Sequence, residues 1–363
     1  MLASRPRDLS RSRAHQRIRR SLRAVTITSA HSFEVLENWE QLPAGYEHPD
    51  VADVAVDSSG RVYLFCRAEH PVLVYERDGR FVRSWGEGLF TMRAHGITIA
   101  PDDTIWCTDD GDQTVRRFTR DGELLMTLGV SGRASDTGYD GKTVASIARG
   151  GPPFNRPTSL AVAPNGDLFV SDGYGNARVH RFSPRGELRH SWGEPGTGSG
   201  QFMLPHGVAV HRDGRVFVCD RENDRIQIFS PDGEFLDQWT DVQRPTKLVF
   251  DQRGVAIVAE LTWREGLRSF RHGTISRHRP SRIAMLDARG AVLARLGDDG
   301  ELDATWGAAD PCRPGNFCAP HGLALDPNGD LYVAEVTWTI GVSKGLVSSG
   351  CHTIQKFARA SSG

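Results

Sequence analysis

This chain of 363 residues has no strong charge of either sign, no C-x-x-C cysteine pair and no long apolar run, and each lack removes a class of function. Its 44 basic residues face 45 acidic ones, for a net charge of -1. The basic excess that neutralises phosphates is therefore missing, and nucleic acid is not an expected partner. No stretch approaches the roughly 20 apolar residues of a membrane span, and the N-terminal segment lacks the apolar core of a secretory signal. A cytoplasmic chain with no membrane partner is the expectation. Six cysteines are present without C-x-x-C spacing. Cys66, Cys107 and Cys219 sit in strand-like apolar runs, where buried free thiols are expected. Cys312 and Cys318 share one loop and are placed to pair if the compartment is oxidising.

One segment departs from this even balance. Residues 1–24 hold eight arginines and a single acid, Asp8, so residues 1–32 read as a basic, disordered tail. The remainder, 33–363, reads as one domain. At 39% hydrophobic content it can bury a large core.

A sixfold repeat organises that domain. HGITIAPDDTIWCTD (95–109), PTSLAVAPNGDLFVSD (157–172), PHGVAVHRDGRVFVCD (205–220) and PHGLALDPNGDLYVAE (320–335) match closely, and ADVAVDSSGRVYLFC (52–66) and TKLVFDQRGVAIVAE (246–260) match more loosely. Each pairs two alternating apolar runs around an Asp/Asn-Gly type turn, the signature of a β-hairpin. RVHRFSPRGELRHSWG (178–193) and RIQIFSPDGEFLDQW (225–239) add a third and fourth strand. Four short antiparallel strands, six times over, predict an all-β fold: a six-bladed β-propeller of NHL-type repeats. Its ring closes where FEVLENWEQL (33–42) joins the last blade. Insertions at 131–156 and 262–281 interrupt the period, and the second carries Arg264, Arg268, Arg271, Arg277 and Arg279. It reads either as a lid selecting an anionic substrate or as a solvated charge run.

The copies begin at Ala52, His95, Thr158, His206, Thr246 and His321. This first position starts the innermost strand, which lines the axial channel, so blades two, four and six each aim one imidazole at the axis. His95, His206 and His321 are candidate ligands of one divalent metal with an open position; zinc fits best, and other transition metals accept imidazole too. Position fifteen reads Cys66, Asp109, Asp172, Asp220, Glu260 and Glu335. These acids either orient the imidazole N–H groups or bind loop amides within their own blades.

Several strings resemble peptidyl-α-hydroxyglycine α-amidating lyase: SDGYGNARVHRFSP (171–184), GQFMLPHGVAV (200–210) and CDRENDRIQIF (219–229), with the resemblance spanning roughly 45–360. It implies zinc held by His95, His206 and His321, an essential arginine at Arg67 and an essential tyrosine at Tyr174. The chain departs from that family at Ala319, where a methionine is expected, at Gly175, where a disulfide cysteine is expected, and at Gly322, where an acidic calcium ligand is expected. The absent disulfide fits a reducing compartment, and a structural calcium ion is doubtful. With no monooxygenase segment preceding the propeller, a small-molecule substrate is expected in place of a peptide hormone.

The chemistry follows from the parts. A carbinolamide N–CH(OH)–R loses its C–N bond once its hydroxyl gives up a proton, and a metal promotes that loss. Tyr174 is the candidate base. Arg67 stays charged and is the candidate partner of a substrate carboxylate. A lyase acting on a carbinolamide or a ureidoglycolate-like molecule is the first reading. A metal-dependent hydrolase of a lactone, ester or amide, and a non-enzymatic scaffold that binds protein, remain open beside it.

Overall fold

Alternating apolar residues and tight turns produce the same unit six times, a four-stranded antiparallel sheet running outward from a common axis. The computed structural model describes residues 22–25, 33–297 and 310–360. Blade one comprises Val51–Val56, Val62–Cys66, Val72–Tyr75 and Phe81–Trp85. Blade two runs from Ala94–Ile99 to Leu124–Gly129, blade three from Pro157–Val162 to Leu188–Trp192, and blade four from Pro205–Val210 to Phe235–Trp239. Blade five places the insertion 262–281 between its second strand, Ala256–Glu260, and its third, Arg282–Leu286.

Blade six closes the ring as expected. Its inner strands, Pro320–Leu325 and Leu331–Glu335, and its third strand, Ile354–Arg359, come from the C-terminal part of the chain, while Phe33–Leu36 supplies the fourth strand in antiparallel register. Pairing extends further than the expected boundary at residue 33, because Leu22–Val25 aligns antiparallel with Phe33–Leu36. The other residues of the expected tail lie outside the described residues.

The core is divided among the blade interfaces. One apolar cluster fills each junction, for example Ala55, Tyr63, Phe65, Ile97, Ile105 and Phe118 between blades one and two, and Ile257, Met285, Leu323, Val333 and Phe357 between blades five and six. Cys66, Cys107 and Cys219 lie in such clusters as buried free thiols, as expected. The expected Cys312–Cys318 pairing is incorrect. Cys312 is bonded to Cys351, while Cys318 is buried against Ala52, Leu261 and Val336 and its N–H donates to Glu335. Packing directs Cys318 inward, and the blade-six loop that ends at Cys351 meets Cys312 instead. A disulfide belongs to oxidising compartments, so the thiol pattern does not support a reducing one. Among the described residues, no helix is long and apolar enough to cross a membrane.

Candidate metal centre

Each inner strand carries a β-bulge at the first residue of its repeat. The register with the second strand shifts across Ala52, His95, Thr158, His206, Thr246 and His321, which have no opposite partner. A bulge re-aims the side chain it carries, and here it turns three buried imidazoles onto the axis.

The next blade fixes each ring. Nδ1–H of His95 donates to the carbonyl of Thr158 at 2.6 Å, that of His206 to Thr246 at 2.8 Å and that of His321 to Ala52 at 2.6 Å. All three acceptors are first residues of the repeat in blades three, five and one. The glycine that follows each histidine permits this approach: a Cβ on Gly96 would lie 2.8 Å from the Thr158 carbonyl oxygen, and one on Gly207 would lie 2.5 Å from that of Thr246. With Nδ1 protonated, the three Nε2 lone pairs face one another, and the ligand atoms lie within 4.8 Å of one another. Burial, together with mutual repulsion and the nearby Arg67 and Arg221 charges, holds the imidazoles well below their ordinary pKa, so they are neutral. A neutral, fixed, converging imidazole triad fits a divalent transition metal.

The position-fifteen acids take no part in orienting these rings. Asp109 accepts from the backbone N–H groups of Thr91, Gly111 and Asp112; Asp220 accepts from the N–H of Met203 and from Arg225; Glu335 accepts from the N–H groups of Cys318 and Ala319. The local reading is the correct one.

Tyr174 stands over the triad, on the loop leaving the second strand of blade three. Its Oη lies 3.3 Å from His95 Nε2 and 3.2 Å from His206 Nε2. The guanidinium bonded to it is that of Arg221, whose Nη1 donates to Oη at 3.2 Å, while Arg221 and Arg93 also lie over the ring at 5.4 and 5.7 Å. Arg67 is placed elsewhere on the same mouth. Its Nε donates to the Ala94 carbonyl at 3.1 Å and its Nη1 reaches Asp50 at 3.4 Å and Thr339 Oγ1 at 3.2 Å, beside His95 and His321. Arg221 escaped the reading of the sequence, although a signal was present. It follows Asp220 in blade four as Arg67 follows Cys66 in blade one, so the two occupy one repeat position in opposite blades.

The insertions brace this mouth. Gly175 N–H donates to the Asn155 carbonyl at 3.0 Å, and Thr137 Oγ1 donates to the Gly175 carbonyl at 2.5 Å, which ties 131–156 to the loop of Tyr174. In the second insertion Trp263 Nε1 and Ser269 Oγ each donate to the Asp224 carboxylate at 2.7 Å, and Arg244, outside it, donates to the Thr262 carbonyl at 3.2 Å and to Glu222, itself paired with Arg221, at 2.9 Å. Arg271 donates to the Asp224 carbonyl, so the arginine-rich segment is anchored and is not a wholly solvated run.

Fold and site together define a six-bladed propeller with an axial imidazole triad. NHL repeats match residues 154–182, 202–229 and 317–339. NHL repeat-containing protein 3 of Homo sapiens is 34% identical over 225 residues, covering 57% of this chain and 61% of that protein. Peptidyl-α-hydroxyglycine α-amidating lyase 1 of Drosophila melanogaster is 36% identical over 186 residues, covering 47% of this chain and 31% of that protein. The chain thus matches about three fifths of the first relative's length and under a third of the second's. Among solved structures, a gluconolactonase from Xanthomonas campestris superposes with a TM-score of 0.57 at 14% identity, covering 93% of this chain and 94% of that one, which is a likeness of fold alone. The chain carries NHL repeats and is similar in sequence to peptidyl-α-hydroxyglycine α-amidating lyases, as its motifs implied.

Proposed function

We propose that the protein is a zinc-dependent carbon–nitrogen lyase acting on a small carbinolamide or ureidoglycolate-like molecule that carries a carboxylate. The observation that carries this reading is the position of Tyr174 Oη, within 3.3 Å of two imidazole Nε2 atoms and bonded to Arg221. A metal held by His95, His206 and His321 supplies Lewis acidity that makes a hydroxyl group easier to deprotonate. Tyr174, acting as the phenolate, takes the hydroxyl proton at Oη. As the carbonyl of the oxo acid forms, the C–N bonding electrons pass to nitrogen, and the same proton returns to the leaving amide. Arg221 keeps positive charge against the phenolic oxygen during this exchange, and Arg67 pairs with the carboxylate. Substrate equals amide plus oxo acid, and no water is consumed.

A hydrolase of the same fold needs water to attack, and a carboxylate base commonly assists it. Among the described residues the converging ligand set holds three imidazoles and no carboxylate. The deciding experiment is turnover of α-hydroxyglycine derivatives by zinc-loaded protein in ¹⁸O-labelled water, with the oxo acid trapped before it exchanges. Unlabelled glyoxylate supports the lyase. Stoichiometric label in the first-formed product overturns it.

A further inference from the structure

Beneath the histidines the channel holds a second polar layer, built from the next repeat position. Blades two, four and six contribute glycine there, and blades one, three and five contribute Asp53, Ser159 and Lys247. The last three are buried and meet across the axis. Lys247 Nζ lies 2.7 Å from Asp53 Oδ2 and 3.5 Å from Ser159 Oγ. Asp53 also accepts from the backbone N–H groups of Ile97 at 3.0 Å and Val54 at 2.9 Å. One ion pair therefore links blades one, two, three and five at a single level.

A buried carboxylate needs a compensating positive charge, which a hard cation can supply. Here that cation is a side chain. The space remaining among Asp53, Lys247, Ser159 and the three histidines is about 10 Å³, the lower limit for one water. A Cβ at Gly322 would lie 2.3 Å from Asp53 Oδ1, so Asp53 already fills the place where the family resemblance puts an acidic ligand. Lys247 also lines the apolar funnel of about 530 Å³ on the opposite face, between Val54, Ile97, Leu160, Val208 and Leu323. It separates the two compartments.

We propose that Lys247 is a tethered cation: its ammonium occupies the axial position against Asp53 that a divalent ion would otherwise take, so the ring closes without a structural metal. The chain then holds a single metal, at the histidines. Removing the ammonium leaves an uncompensated buried carboxylate in a vacated cavity, which is a site for calcium.

Calcium binding and thermal unfolding of the zinc-loaded protein, with and without millimolar calcium chloride, test this. The wild type is expected to bind no calcium and to keep its Tm. Lys247→Ala is expected to lower Tm by about 5–10 °C, as loss of one partner from a buried pair does. It should also gain about one equivalent of calcium and recover part of its Tm when calcium is added. The paired variant Asp53→Asn with Lys247→Met is expected to show no calcium response. Wild-type protein that binds calcium within the channel overturns the proposal, and this arm holds even if Lys247→Ala does not fold. A folded Lys247→Ala with unchanged Tm or no calcium binding overturns it as well. None of these readouts depends on lyase activity, so the two proposals fail separately.

Discussion

Two positions of the same repeat meet opposite fates in this propeller. Position one and position fifteen both recur in all six blades, and both hold buried polar side chains in most of them. At position one a bulge turns the residue onto the axis, where residues from alternate blades gather. Position fifteen lies in regular pairing at the end of the second strand, and its acids bind the amides and side chains of their own blades. Recurrence in sequence therefore does not imply convergence in space. The local backbone decides whether repeated residues form one site or several equivalent anchors.

Breaking position one should have the largest effect. His206→Ala is expected to leave less than about a tenth of an equivalent of metal and to lower activity by about 10³-fold or more, with the fold retained; elemental analysis and circular dichroism check both halves. Full metal retention in this variant would remove the axial site. Next in size, Tyr174→Phe should lower kcat by roughly 10²–10⁴ while metal stays bound, because the general base is lost and the ligands are not. Arg67→Ala should lower kcat/KM for carboxylate substrates by about 10–10² and change neutral analogues little, the scale of one hydrogen bond to a charged group. Equal losses on both substrates would assign Arg67 to the architecture of the mouth.

Breaking position fifteen should cost stability without metal. Asp109→Ala leaves the N–H groups of Thr91, Gly111 and Asp112 without their carboxylate, and is expected to lower unfolding free energy by roughly 2–3 kcal/mol at unchanged metal content. Metal loss in this variant would erase the contrast between the two positions. Glu260 gives the smallest and most specific readout. Burial, only partly offset by Arg282, raises its carboxyl to about 7 from an ordinary value of 4.5. The folded chain then binds more protons than the unfolded chain between these values. This group's contribution to stability falls as pH rises through that window and is level above it. Glu260→Gln should flatten the profile between pH 5 and 8 by at most about 2.5 kcal/mol, as read from urea unfolding at the two ends.

Much of the centre was legible because repetition keeps equivalent residues in register. Histidines at three of six equivalent positions pointed to an axial triad before any contact was known, and Tyr174 was legible from the strings around it. Arg221 was not. Its bond to Tyr174 joins loops of two blades across 47 positions, and the repeat position it shares with Arg67 marks the residue without marking that neighbour. The Cys312–Cys351 bond was illegible for a similar reason, since Cys312 and Cys318 are neighbours in one loop and only packing buries Cys318 away from that partner.

Hairpin patterning by itself determined the six-bladed ring, its closure by the segment starting at Phe33 and the level at which the histidines stand, because these depend on period and on turns a few residues long. Tertiary structure alone decided where those side chains point and what surrounds them. The bulges, the carbonyls of Thr158, Thr246 and Ala52 that fix each imidazole, and the Lys247–Asp53 pair across 194 positions all depend on neighbouring strands far apart in the chain. A hydrogen bond needs its partner within about 3 Å, and only the closed ring brings these partners that near.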